Sequence, residues 1–264
     1  MSYKLLTLLI TLIGTFAVAP KSSAGIFLTG RNYPSGGQPV AAVVQDFNND
    51  GVSDIASANY ANVSIFLNEG GTFAPANTFS VGEAAIRIAS ADLNGDGKAD
   101  LVVTDDINSA YIVLANGDGT FAPASAIRLD DGPLGIAIAD LNGDSILDLA
   151  IAIYGPYNQN QGELAVLIGL GDGTFGAAVF YSLAHDADGV ALVTTDLNHD
   201  GKLDLAVALS HFAGTKNGLA VLLGNEDGTF QAAVLSVPGG ASDVAAADFN
   251  GDGNVDLALA SDGV

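Results

Sequence analysis

The sequence predicts an all-β fold made of repeated four-stranded antiparallel units, and three observations carry that prediction. A nine-residue loop with oxygen-bearing side chains at positions 1, 3, 5 and 9 occurs five times, its first Asp at 46, 92, 140, 196 and 248. A second marker keeps step with it: Gly71–Phe73, Gly119–Phe121, Gly173–Phe175 and Gly228–Phe230 each read Gly-Thr-Phe. The residues between are short runs of Val, Ile, Leu and Ala punctuated by Gly and Asp, which is strand patterning, and no sustained helical stripe occurs beyond the N-terminal apolar segment. Two markers in phase over four periods mean one supersecondary unit repeated in series.

The N-terminus reads as an export signal, residues 1–24. Lys4 precedes the apolar run Leu5 to Ala19, and Ser22, Ser23 and Ala24 supply small residues for cleavage. That run is short for a membrane span and suits a secretory core. Pro20 blocks a cut after Ala19, so the expected cut follows Ala24. The remainder, 25–264, is then a secreted or extracytoplasmic domain with no membrane span. Within it Gly25 to Pro39 reads as the last strand of a blade preceding the first loop.

The second unit shows the repeat best. Strand a is Ile86 to Ala91, and the Asp-rich loop follows. Strand b is Leu101 to Thr104, strand c is Tyr111 to Ala115, the turn Asn116–Gly119 comes next, and strand d runs from Phe121 to Leu129. Four-stranded units of this length in series are the pattern of β-propeller blades. The blades fall at 40–82, 83–130, 131–184 and 185–237, with a partial one at 238–264 that supplies only strands a and b. A ring of five, closed by the N-terminal strand, would lack a c strand, so the expectation is an open arc belonging to a larger propeller.

The loops carry the chemistry. Their side chains are Asp46, Asn48, Asp50 and Asp54; Asp92, Asn94, Asp96 and Asp100; Asp140, Asn142, Asp144 and Asp148; Asp196, Asn198, Asp200 and Asp204; Asp248, Asn250, Asp252 and Asp256. Hard oxygen donors at this spacing suit a hard cation, Ca2+ above all. The backbone carbonyl at position 7, on Val52, Lys98, Ile146, Lys202 and Asn254, completes each set. Position 6 is Gly51, Gly97, Gly201 or Gly253, which tolerates the sharp turn, but Ser145 in the third loop, so that site is expected to be weaker or more strained. An EF-hand is excluded: position 12 is Ser57, Val103, Ile151, Val207 or Leu259 rather than Glu, and strands flank the loop. Asp, Asn and Gly also favour turns on their own, yet five copies of the same four polar positions exceed what turn chemistry requires.

Composition agrees. The formal charge of −22 excludes a nucleic-acid partner and disfavours anionic membranes. The loops hold 15 of the 30 acidic residues, and five divalent ions would bring the charge to about −12. Cysteine is absent, so no disulfide, thiol nucleophile or Cys-zinc site is possible, and metal is the natural staple for an exported chain.

On the five Asp loops, the Gly-Thr-Phe turns and the runs Phe73–Pro75 and Phe121–Pro123, the chain resembles the FG-GAP/VCBS repeat family, over residues 26–264. That family includes integrin α-subunit propellers and many exported bacterial proteins. The resemblance implies a propeller that is usually seven-bladed, calcium in each a–b loop, and a role in adhesion or ligand binding.

Strand order puts the a–b and c–d turns at one end of each blade, and the b–c turns and d–a connectors at the other. Length variation collects at the second end, in Tyr154–Glu163, Ser210–Gly218 and the connector Ala184–Gly189. Tyr154, Tyr157, His185, His211 and Phe212 are therefore the candidate edges of a surface for an extracellular carbohydrate or protein ligand. No catalytic constellation is identifiable: the chain has three His, and no Gly-x-Ser-x-Gly elbow occurs. His185 with Asp186 and Asp188 reads as a polar turn. The expectation is a binding module rather than an enzyme; the rival is the non-catalytic propeller portion of a secreted polysaccharide-acting enzyme.

Overall fold

The computed structural model describes residues 8–11, 15–18, 31–129, 131–154, 161–185, 188–210, 218–236 and 239–261. Among them there is no helix. Four consecutive blades each form a four-stranded antiparallel meander in sequence order. Blade 1 is β4 (Ala41–Gln45), β5 (Asp54–Ala58), β6 (Val63–Phe66) and β7 (Asn77–Phe79). Blade 2 is β8 (Ala85–Ala91), β9 (Asp100–Asp105), β10 (Ser109–Val113) and β11 (Ser125–Arg128). Blade 3 is β12 (Pro133–Ala139), β13 (Asp148–Ile153), β14 (Gln161–Leu167) and β15 (Val179–His185). Blade 4 is β16 (Asp188–Thr195), β17 (Asp204–Ser210), β18 (Leu219–Leu222) and β19 (Val234–Ser236). A fifth sheet has two strands, β20 (Ala241–Ala247) and β21 (Asp256–Ser261). The a strands of neighbouring blades contact one another, which sets them at the inner side of the arc.

A three-stranded sheet precedes blade 1: β1 (Leu8–Thr11), β2 (Thr15–Val18) and β3 (Arg31–Pro34). Two of these strands lie within the segment read as an export signal. β3 holds the place of a d strand. The Tyr33 ring meets Phe73 edge-on at 5.3 Å, as Tyr181 of β15 meets Phe230 at 5.9 Å. No strand pairing joins this sheet to the fifth one, so the described blades form an open arc.

The b strands show why the sequence stacks in this way. In β13, β17 and β21 a large residue alternates with a small one, whereas β9 carries Leu101, Val102 and Val103 in a row; successive side chains of a strand point to opposite faces. Leu101 and Val103 of β9 pack on Ala56 and Ala58 of β5. Leu149, Ile151 and Ile153 of β13 meet Val102 of β9. Leu205, Val207 and Leu209 of β17 meet Ala150 and Ala152 of β13. Leu257 and Leu259 of β21 lie against Ala206 and Ala208 of β17. Blades 3 and 4 thus offer large b-strand side chains backward and small ones forward, while blade 2 offers Val102 forward. Because both faces are covered, β5, β9 and β13 are buried along their whole length.

The element limits shift slightly from those read in sequence. Strand c of blade 2 is Ser109–Val113, and strand d begins only at Ser125, leaving Phe121 in an isolated bridge to Ala115. One b–c connection read as expanded, and the d–a connector that follows it, are shorter than read in sequence. β14 begins at Gln161 and pairs it with His185, so the third b–c connection ends before Glu163. β15 runs through His185 and β16 starts at Asp188, whose partner is Ser210, so pairing consumes most of the Ala184–Gly189 connector. The physical reason is that ladder hydrogen bonds satisfy backbone groups that an open loop would leave to solvent.

Candidate metal loops and the opposite end

All five Asp-rich loops share one hydrogen-bond frame. The amide of position 5 donates to two oxygens at once: Asp96 N–H to Asp92 Oδ1 and Asn94 Oδ1, both at 3.1 Å. The amide of position 6 donates to the other oxygen of position 1, as Gly97 N–H does to Asp92 Oδ2 at 2.7 Å. The amide of position 7 donates to position 5, Lys98 N–H to Asp96 Oδ1 at 3.0 Å. The same bonds recur around Asp46, Asp140, Asp196 and Asp248. The tight wrap requires left-handed backbone at position 6. Gly97 sits at φ 81° and Ser145 at φ 68°, so the third loop keeps the conformation with a side chain that disfavours it.

The Asp at position 9 does more than its spacing indicates. Asp54, Asp100, Asp148 and Asp204 are fully buried. Oδ2 of each accepts the amide at position 2 of its own loop, from Phe47, Leu93, Leu141 and Leu197, at 2.8 to 3.0 Å. Oδ1 accepts an amide just beyond strand c, from Asn68, Ala115, Gly169 and Gly224, at 2.7 to 2.9 Å. This carboxylate ties the a–b loop to the c–d turn in each complete blade. Burial pushes Asp54, Asp100 and Asp148 above the usual carboxylate range, and the two neighbouring loop carboxylates add to the rise.

Charge is otherwise scarcely compensated. Lys98 Nζ pairs with Asp96 Oδ2 at 2.9 Å and holds that carboxyl below its ordinary value. In loops 1, 3 and 4 the position-3 amide nitrogen donates to position 5 instead, from Asn48, Asn142 and Asn198. Among the described residues no three carboxylate or imidazole side chains gather closely enough to form a metal cluster. The donor set is mixed rather than purely acidic. Two oxygens of positions 1 and 3 crowd one amide, position 5 lies beside them, and the carboxylate of position 9 is close enough to feel both acids. The loop acids raise the position-9 carboxylate in loops 1 to 3, and among the described residues the one side-chain ion pair of these loops is that of Lys98 with Asp96. By donor type these residues fit a hard divalent cation.

The c–d turns stand at the same end. Gly119 N–H donates to the Phe47 carbonyl of the preceding blade at 3.1 Å. Gly117 lies against Asn49 of loop 1 and Lys98 of loop 2, and Gly228 lies against Asn142. Asp118, Asp172 and Asp227 each accept the hydroxyl and amide of the Thr two residues on, and those bonds hold all three below the ordinary carboxylate value.

At the opposite end the structure places one candidate ligand residue in full. Tyr154 is half-buried just after β13, and its amide donates to the Gly132 carbonyl at 2.8 Å. His185 closes β15, where its backbone pairs with Gln161. Tyr157, His211 and Phe212 lie outside the described residues. Sequence reading missed the polar caps here. Asp105 Oδ1 accepts the amides of Ile107, Asn108 and Ser109, and its Oδ2 accepts the Tyr111 hydroxyl at 3.1 Å. In blade 1, Asn59 joins Ser57, Asn62 and Ser64 in a buried network that reaches the Ser35 carbonyl. The signal for both was an Asp or Asn ending a b strand.

The family model for the FG-GAP-like repeat matches the chain four times, at residues 46–103, 92–151, 140–207 and 211–259. No curated protein sequence matches it. Among solved structures, an Agrocybe aegerita lectin, described for specific recognition of non-reducing terminal N-acetylglucosamine, is similar with a TM-score of 0.59 and 23% identity, over 95% of this chain and 73% of that one. BBS1N, solved in complex with ARL6DN, is similar with a TM-score of 0.59 and 16% identity, over 94% of this chain and 71% of that one. At these identities the likeness is one of fold.

Proposed function

Since the chain belongs to the FG-GAP-like repeat family, we propose that it is an exported, calcium-stabilised binding module without catalytic activity, which recognises a carbohydrate or protein through the b–c end of its blades. The observation that carries this reading is the frame common to all five loops, in which backbone amides fix the oxygens of positions 1, 3 and 5 for a cation. Calcium in loop 2 would be held by Asp92, Asn94, Asp96, Asp100 and the Lys98 carbonyl, and in the other loops by the corresponding residues. The ion would supply the positive charge that the clustered carboxylates lack. The c–d turns crowd the calcium end, so a large ligand has the other end, where Tyr154 stands. The lectin likeness favours a carbohydrate, as do the aromatic and amide residues proposed for that end.

The test has two arms. Isothermal titration of the chelator-treated protein with Ca2+ should give saturable binding at several sites per chain; no heat with Ca2+ sinks the calcium part. A glycan array probed with and without calcium, with turnover followed on any glycan retained, should give binding without product. Product formation would instead make the chain an enzyme.

A further inference from the structure

We propose that Asn94 is a site of spontaneous deamidation, at which loop 2 converts its own amide to aspartate or isoaspartate. The chain carries five Asn-Gly pairs, with the Asn at 94, 116, 142, 217 and 250. A glycine after asparagine has no side chain to shield its nitrogen, so that nitrogen can reach the carbonyl carbon of the Asn side chain. Asn217 lies outside the described residues, and the other four pairs differ in their surroundings. Those at 94, 142 and 250 occupy positions 3 and 4 of an Asp-rich loop. There the Asn Oδ1 accepts the amide of position 5, from Asp96, Asp144 and Asp252, at 2.8 to 3.1 Å. That donor polarises the carbonyl and stabilises the oxyanion that forms when it is attacked. Asn116 lacks such a donor among the described residues, its Nδ2 is bonded to Thr120 Oγ1, and the Lys98 and Asn49 side chains crowd Gly117.

The three loop pairs share the sequence Asn-Gly-Asp and nearly the same glycine φ, 72° at Gly95, 78° at Gly143 and 77° at Gly251. Their hydrogen bonds differ. Gly143 N–H donates to Asp140 Oδ1 at 2.7 Å and Gly251 N–H to Asp248 Oδ1 at 2.6 Å, which engages the attacking nitrogen, whereas Gly95 makes no such bond to Asp92. The leaving nitrogen is also held in loop 3, where Asn142 Nδ2 donates to Asp144 Oδ2 at 2.9 Å. In loop 2 Lys98 Nζ takes the matching oxygen of Asp96 at 2.9 Å. In the reaction the Gly95 nitrogen bonds to Asn94 Cγ, the Cγ–Nδ2 bond breaks, and ammonia departs with the proton that Gly95 gives up. Water then opens the cyclic imide at either carbonyl, to aspartate or to isoaspartate. Aspartate adds a negative charge at position 3. Isoaspartate routes the main chain through Cγ, one carbon longer, and so displaces the Asp96 and Gly97 amides that hold Asp92. The step needs only water and is independent of the proposed ligand.

The test ages the full chain as purified, folded by circular dichroism, in mildly alkaline buffer. Peptide mass spectrometry follows the amide-to-acid mass gain at Asn94, Asn142 and Asn250, and isoaspartyl methyltransferase counts the isoaspartate. Asn94 should convert at least about tenfold faster than the other two, since their attacking amides must first give up a hydrogen bond to a carboxylate. In urea the three rates should converge, because the local sequence is the same. Lys98→Ile, which installs the residue of loop 3, frees Asp96 Oδ2 for the Asn94 amide and should slow the conversion of Asn94 in the folded chain. Equal rates at the three sites in the folded chain, a difference that persists in urea, or an unchanged Asn94 rate in the variant overturns the proposal.

Discussion

Tyr181 of blade 3 reaches across to blade 4 and accepts the amide of Phe230 on its hydroxyl at 3.1 Å, while the two rings meet edge-on. Tyr33 and Phe73 repeat the pair at the start of the arc. The Gly-Thr-Phe turn is thus a socket for the outermost strand of the preceding blade. Replacing Tyr181 with Phe keeps the ring contact and leaves a half-buried amide without its acceptor. The expected cost is about 1–3 kcal/mol, read from the urea midpoint at unchanged slope.

The alternation of large and small residues makes a second prediction. Leu205→Ala opens a cavity between blades 3 and 4 and should cost about 2–5 kcal/mol. Ala206→Leu, on the other face of the same strand, overfills the junction with blade 5 and should cost about 1–3 kcal/mol. Ala258→Leu, at the equivalent small position of β21, is exposed in this chain and should change its stability by no more than about 0.5 kcal/mol. Urea unfolding of the three variants distinguishes a directional stack from one in which either face tolerates either size.

Removing calcium should lower the melting temperature strongly. At about 1 mM calcium and a dissociation constant of about 10⁻⁴ M, each site contributes about 1.4 kcal/mol. Five sites contribute roughly 7 kcal/mol, comparable to the whole stability of a domain. An unchanged melt after EGTA treatment would remove the ion from the account of stability.

The third loop offers a separate measurement. Ser145 holds φ 68° without the freedom of glycine. Ser145→Gly should stabilise the protein by about 1 kcal/mol, the penalty of a left-handed L residue. It should also tighten the weakest step of a calcium titration.

Acid stability follows from the turn carboxylates. Asp118, Asp172 and Asp227 are held below their ordinary value by the following Thr, so their folded pKa lies under the unfolded one. Their contribution is complete above the unfolded value of about 3.9 and is lost as pH falls through the folded one. Asp54, Asp100 and Asp148 shift the other way: with folded values raised, their contribution is lost as pH climbs above about 3.9. Thr120→Val combined with Thr174→Val and Thr229→Val should therefore lower stability above about pH 4 and flatten the acid limb, with the difference from the parent vanishing at the lowest pH. Neutral stability equal to that of the parent would refute the assignment.

Much of the fold was legible because the repeat is strict. Five Asp loops and four Gly-Thr-Phe turns in register located every a–b and c–d junction before any strand limit was known. The large-small alternation of β13, β17 and β21 was also present in the letters, but its direction was not. Leu101 and Val102 face opposite blades, and only the assembled stack shows which. The double grip of Asp100 on Leu93 and Ala115 was hidden for a similar reason: its second partner is set by strand pairing, not by spacing. Tyr33 gave no local sign of its role, since it lies outside any repeat marker and its partner is 40 residues away. The b–c end was the least readable, because paired backbone rather than side-chain type decided where β14 and β16 begin.

The backward-large, forward-small arrangement bears on how such a chain can change. Blades 3 and 4 present the same large b-strand face backward and the same small one forward. A genetic event that copies or excises one whole unit, cut at the same point in two repeats, would join a matching pair of surfaces at the new seam. Ancestors and descendants of this gene can therefore differ in the number of units without any compensating substitution, whereas a cut at unmatched points would set large residues against large ones and be lost.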